Sequence, residues 1–227
     1  LIPFIYCELP VMVLNPFEME FPFHPHSTIS YVGPMICSDR EKLPFIPKTA
    51  ETTRNIEKLR DSYRRRREGQ CLIYCSFGCF FGRNDSPFWH KIAEALGNTD
   101  WNVIFALGNR LKPEALGSLP ANIHCLEFAP QLEILKVADC AVIHAGMTTV
   151  YECILSETPM VVYPFKVNDQ MGTAARVVYH HIGLRGNREK DGSAEIRNLV
   201  ERAMNDRVLR ENIGHMKKKL KSTVQIT

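Results

Sequence analysis

From residue 71 onward the chain alternates short apolar runs with amphipathic stretches. CLIYCSF (71–77) reads as a buried strand, and the polar segment after it ends in Ser86-Pro87, a helix start with proline at the first helical position. That helix is predicted over 86–96, with Gly97 ending it. WNVIFAL (101–107) and NIHCLEF (122–128) read as strands, QLEILKVA (131–138) as a short helix, and CAVI (140–143) as a strand. A helix over 148–156, a strand over 159–165 and a helix over 169–181 follow, then two more helices over 194–204 and 207–219. Residues 1–50 are proline-rich and irregular, with strand-like pieces at 11–15 and 29–35. Pro44 and Pro47 mark a linker, and 51–68 reads as a polar helix ending at Gly69. Apolar strands alternating with helices predict an α/β fold: a Rossmann-like parallel sheet with helices on both faces and right-handed crossovers, preceded by an irregular extension. Such a sheet binds ligands outside the carboxyl ends of its strands.

Composition narrows this little. The 227 residues are 45% hydrophobic, enough for one large core, and 28 Lys+Arg against 25 Asp+Glu leave a formal charge of +3. That balance is too even to point to nucleic acid or a membrane surface, and the basic run Arg64–Arg67 reads as a solvated helix face. No apolar run approaches the roughly 20 residues of a membrane span. The apolar start lacks a basic lead and is broken by prolines, a poor signal peptide and closer to a cut domain. Of the eight cysteines, Cys71, Cys75 and Cys79 are spaced by four, but the intervening residues belong to a strand and no Cys-x-x-Cys pair occurs. Buried free thiols are expected rather than a metal site, which fits a reducing, cytoplasmic compartment.

Candidate chemistry concentrates in HAGMTTVYE (144–152), which leaves the strand CAVI at its carboxyl end. Gly146 lets the main chain approach a ligand. A helix starting near 147–149 aims its free N–H groups the same way, and Thr148 and Thr149 add hydroxyls, a combination suited to phosphate. His144 can donate to a phosphate oxygen. Glu152, on the face of Thr149, suits the vicinal hydroxyls of a sugar. Together they predict a nucleotide. Taken alone, the segment is as readily an ordinary strand–turn–helix junction. Three more loops fall at predicted carboxyl ends: Ser76-Phe77-Gly78-Cys79, Phe128-Ala129-Pro130-Gln131 and Asn168-Asp169-Gln170.

The run from His144 to Leu184 resembles the donor-binding signature of nucleotide-sugar glycosyltransferases with two Rossmann-like domains: His-x-Gly-x-Thr-Thr-x-x-Glu, then Pro-Met in a strand, then Pro, then Asp-Gln. The resemblance is nearest to bacterial members of family 1, GT-B type, that act on macrolides, carotenoids and other apolar aglycones, and extends over about 71–184. It implies that residues 1–56 are the tail of an N-terminal domain plus linker, and 57–227 the donor-binding domain. Tyr31-Val32-Gly33-Pro34 looks like the exit from the first domain. It further implies that Phe128 stacks on the base where plant members carry tryptophan, and that Ala129 pairs with the base edge through its main chain. Gln131 and Glu152 would hold the ribose; His144, Gly146, Thr148 and Thr149 the diphosphate; Asp169 and Gln170 the sugar hydroxyls; and Ser76 and Gly78 the loop beside the phosphates. Cys79 and Thr173 depart from the family's usual serine or threonine and asparagine.

The activity implied is inverting hexosyl transfer from a UDP-sugar, with a dTDP-sugar second, to a hydroxyl of a small apolar acceptor, without a metal or other cofactor. The family's base lies in the N-terminal domain, so no catalytic residue is assigned in this chain, which is expected to bind donor and not to transfer sugar without an acceptor-binding partner domain. The last helix is expected to pack back towards that domain. The alternatives are a separate donor subunit of a membrane-associated two-chain enzyme, and a nucleotide-sugar epimerase or binding module.

Overall fold

The structure, a computed structural model, describes residues 9–34, 36, 70–78, 86–108, 111–166 and 169–223. The predicted polar helix at 51–68, Cys79 and Asn168 lie outside these. In the first segment two three-residue strands, β1 (Val11–Val13) and β2 (Ile29–Tyr31), pair in parallel, with a 3-10 turn at Phe17–Met19 between them.

The rest forms one six-stranded, all-parallel sheet. In chain order its elements are β3 (Leu72–Ser76), α1 (Ser86–Leu96), β4 (Asn102–Ala106), β5 (Ile123–Leu126), α2 (Gln131–Leu135), β6 (Cys140–Ile143), α3 (Met147–Ser156), β7 (Met160–Val162), α4 (Gln170–Tyr179), β8 (Gly183–Arg185), α5 (Ser193–Asn205) and α6 (Arg207–Thr223). The order across the sheet is β5-β4-β3-β6-β7-β8. The first three strands wind outward in one direction and the last three in the other, so the direction reverses between β3 and β6. That is where a doubly wound sheet opens a crevice at its carboxyl edge.

Alternation on β3 shows why the sheet needs cover on both faces. Leu72 and Tyr74 join a core with Ile134 of α2, Val150 and Ile154 of α3, Val177 of α4 and Ile213 of α6. Ile73 and Cys75 join the opposite core with Trp89 and Ile92 of α1 and Ile196 and Val200 of α5. Every β3 residue is buried, as a central parallel strand requires. Each fully buried Ile or Leu contributes about 1.5–3 kcal/mol. The Asp139 carboxylate accepts from the Leu72 N–H at 2.7 Å, fixing the start of β3 against the entry to β6.

Both α3 and α4 end in positive-φ residues. At the end of α3, Glu157 (φ 57) sends its N–H back to the Cys153 and Ile154 carbonyls, and Lys217 of α6 reaches its carboxylate at 2.7 Å. The predicted last helix thus packs along α3 and the turn at Phe17–Met19. His180, half-buried, and His181, exposed, close the end of α4. His180 bonds the Met19 carbonyl at 3.1 Å, and His181 (φ 49) breaks the helix and faces Asp206 at 3.4 Å.

Candidate functional site at the reversal of the sheet

Two loops meet at the crevice. β3 ends in Ser76 and continues through Phe77 to Gly78 (φ 77), and β6 ends in Ile143 and continues through His144, Ala145 and Gly146 into α3. Ser76 pairs with Ile143 across the sheet, so the loops leave it side by side. The His144 ring lies between them: a Cβ added to Gly78 would stand 2.9 Å from Nε2, and one added to Gly146 2.4 Å from it. Both glycines are therefore required by close approach to one imidazole. Ala145, fully buried, sits in the left-handed region at φ 61. That conformation is uncommon for a residue with a Cβ, and such strain gathers at functional turns.

His144 is brought down to about 4, chiefly by burial and also by the nearby Arg188 charge. The Ser76 main chain and Asp169 pull the other way. The ring's Nδ1 is buried with no partner at hydrogen-bond geometry among the described residues, and Nε2 faces the two glycines. At neutral pH the site therefore presents an uncharged imidazole.

The ten-residue helix α3 starts from Gly146, which supplies no capping side chain, and its first hydrogen bond runs from Val150 N–H to Gly146 carbonyl at 3.0 Å. The main-chain N–H groups of Met147, Thr148 and Thr149 thus lack helical acceptors and carry the positive end of the helix dipole. Thr148 is exposed and Thr149 half-buried. One turn on, Glu152 is only 1% exposed. Gln131, the first residue of α2, donates from Nε2 to the Glu152 carboxylate and reaches Thr149 Oγ1 at 3.5 Å. Behind it the Tyr74 hydroxyl donates to Gln131 Oε1 at 2.8 Å. Sequence reasoning pairs Gln131 with Glu152, and the structure brings them into contact. It passes over Tyr74, whose signal is a phenol hydroxyl in a strand buried throughout: a buried tyrosine O–H needs a partner.

Phe128 and Ala129, both half-buried, form the loop from β5 to Gln131. Asp169 is the exposed N-cap of α4 and makes no capping bond with its side chain, yet its charge reaches His144. Gln170 is 3% exposed, and its Oε1 accepts from the Phe165 N–H at 3.0 Å, so only its Nε2 group remains to donate. Thr173, buried, is held by its main chain to Asp169. The structure thus gathers Ser76, Gly78, His144 and Gly146 into one cluster, with Thr148 at the start of the helix that follows. Gln131, Thr149 and Glu152 form a second cluster, and Asp169 and Gln170 border the first. Phe165 and Arg188 also belong to this neighbourhood; the sequence singled out neither.

Among the described residues no group of three or more His, Cys, Asp or Glu is placed to hold a metal ion, and no helix is long and apolar enough to cross a membrane. Cys71, Cys75, Cys125, Cys140 and Cys153 are free thiols, and burial raises Cys140 to about 12. Cys75, Cys140 and Cys153 are fully buried in the two cores, and Cys125 packs against one of them.

The chain is 33% identical over 154 residues to the NDP-glycosyltransferase YjiC of Bacillus licheniformis, a match covering 67% of this chain and 38% of that protein. It is 34% identical over 118 residues to the zeaxanthin glucosyltransferase of Pantoea ananas, covering 51% of this chain and 27% of that protein. The fold matches the crystal structure of CalG4, the calicheamicin glycosyltransferase, with a TM-score of 0.73 at 23% identity, over 95% of this chain and 50% of that one. The chain therefore spans about two-fifths of the length of its first curated relative and half that of the solved structure. The family model described as UDP-glucoronosyl and UDP-glucosyl transferase matches residues 9–221, and the chain belongs to that family.

Proposed function

We propose that this chain is the donor half of an inverting glycosyltransferase and holds a UDP-sugar across the reversal of the sheet, a dTDP-sugar being the second choice. The observation that carries this reading is the pairing of Ser76 with Ile143, which sets a glycine loop and a helix N-terminus around one neutral histidine. The diphosphate lies against Gly78, Gly146, Thr148 and Thr149, with His144 donating from Nε2. The ribose diol engages Glu152 and Gln131, joining or replacing the hydrogen bond these two make with each other. Phe128 stacks on the base and Ala129 meets its edge. Asp169 and the Gln170 Nε2 group take the sugar hydroxyls.

In the reaction an acceptor hydroxyl attacks the anomeric carbon. The bond from that carbon to the diphosphate oxygen breaks, its electron pair stays on the oxygen, and the hydroxyl proton passes to a base outside these residues. The residues described here stabilise the departing charge through the N–H groups of α3 and fixed donors, with no metal required. The acceptor is a small apolar alcohol, bound largely by a separate N-terminal domain, and the free thiols suit a reducing, cytoplasmic setting.

Calorimetric titration with UDP, dTDP and GDP tests this reading. UDP should saturate, and Glu152→Ala should weaken it about tenfold to a hundredfold, the range for a lost hydrogen bond to a charged group. Equal affinity for all three nucleotides, or an unchanged Kd in the variant, would count against the assignment.

A further inference from the structure

The polar chain behind the ribose residues starts inside the core. Tyr74 is 1% exposed, its main chain is paired with Ile104 of β4 on one side and Ala141 of β6 on the other, and its ring shares a core with Leu72, Ile134, Val150 and Ile154. Packing of that kind fixes where its hydroxyl stands. The hydroxyl donates to Gln131 Oε1 at 2.8 Å, and from the other end of the same amide Nε2 donates to the Glu152 carboxylate and reaches Thr149 Oγ1 at 3.5 Å. β3, α2 and α3 are thereby joined in series. The direction of the series follows from what each group can offer. A carboxylate only accepts, so the amide turns its NH2 to Glu152 and its carbonyl oxygen to Tyr74, and the tyrosine hydroxyl has to donate. Phenylalanine would fill the same space without that donor, leaving the half-buried Gln131 side chain anchored through Nε2, the group the ribose would share.

Resting on the donor-site reading above, we propose that Tyr74 is a positioning residue for ribose recognition: it fixes the Gln131 amide from behind, and so holds Gln131 and Glu152 in the arrangement that separates a ribose from a 2′-deoxyribose. The hydroxyl acts through Gln131 and makes no contact of its own with the nucleotide. Its contribution is preorganisation. A glutamine already ordered in the free protein loses little freedom when the diol arrives, whereas having to order a loose one weakens binding. The same device favours UDP over dTDP, whose sugar lacks the 2′ hydroxyl.

The test is calorimetric: the Kd for UDP and for 2′-deoxy-UDP, which differ by one hydroxyl, in the parent chain, Tyr74→Phe, Gln131→Met and the double variant, with thermal melting as a check on folding. The parent should bind UDP about tenfold to a hundredfold more tightly than 2′-deoxy-UDP, and Tyr74→Phe should cut that ratio about threefold to tenfold by weakening UDP alone. An unchanged ratio, whether or not both nucleotides weaken, would overturn the proposal and leave Tyr74 a packing residue. Gln131→Met should lower the ratio at least as far, and adding Tyr74→Phe to it should lower it no further; a further fall would overturn a role exerted through Gln131. That last comparison stands even if Tyr74→Phe alone fails to fold, because replacing both partners leaves no carbonyl oxygen without its donor. A parent chain that binds both nucleotides equally would also overturn the proposal while keeping the donor site, whereas one that binds no UDP would sink the donor-site reading itself.

Discussion

Burial sets the protonation of His144, and through it a part of the protein's response to acid. The free side chain takes up its proton near pH 6.5, the folded one only at about 4. Between these values the unfolded chain binds more protons than the folded one, so stability falls as pH falls. The limit is about 1.4 kcal/mol for each pH unit, less what residual solvent contact removes. Above pH 6.5 and below 4 this residue adds no slope. His144→Gln should therefore flatten the loss of stability between pH 6.5 and 4, read as denaturant midpoints at pH 7 and pH 5. An unchanged pH dependence would mean that the ring is reachable by protons in the folded state. The sequence marked His144 as a phosphate donor but could not show it to be neutral, because that follows from the Gly78 and Gly146 backbones closing on it from two separate strands.

Helix α4 ties the N-terminal segment to the sheet. Arg176 Nε donates to Glu20 at 2.8 Å, its second guanidinium nitrogen reaches the same carboxylate oxygen, and the ring of Phe21 lies beneath the guanidinium at 5.3 Å. Nearby, the Tyr151 hydroxyl donates to Asn15 Oδ1 at 2.9 Å. Arg176 is about a quarter exposed, so removing it should cost about 1–2 kcal/mol rather than the 3–5 of a fully buried pair. Arg176→Ala should speed amide exchange in β1 and β2 while leaving β3 and β6 unchanged; uniform acceleration would mean that the segment and the sheet unfold together.

The elements themselves were largely legible in the chain. CAVI is β6 to the residue, and the helix at Ser86 runs to Leu96 as predicted. The miss was β8. Gly183-Leu184-Arg185 is a three-residue edge strand with one apolar side chain, too short to show a period. Its neighbours identify it, since Gly183 pairs with Met160 and leaves no room for a Cβ, which would lie 2.6 Å from the Met160 side chain. The parallel pairing of β1 with β2 was equally silent, because register depends on partners distant in sequence.

At the scale of the whole molecule, fold class followed from the alternation of strands and helices, whereas the strand order, and with it the meeting of Ser76 and His144, appeared only in three dimensions. Within the sheet the two windings meet at one strand pairing, that of Ile73–Ser76 with Cys140–Ile143. One side of that seam carries Ser76, Gly78 and Gln131; the other carries His144, Gly146 and Glu152. A bound nucleotide would thus act as a strap across the seam, and undoing either winding would require releasing it. With UDP at a hundred times its Kd the strap adds about 2.7 kcal/mol to every opening that breaks the seam. Amides of β4 and β7, one strand removed on either side, should then exchange about a hundredfold more slowly together, although neither strand touches the ligand; protection confined to one winding would mean that the nucleotide rests on a single wall.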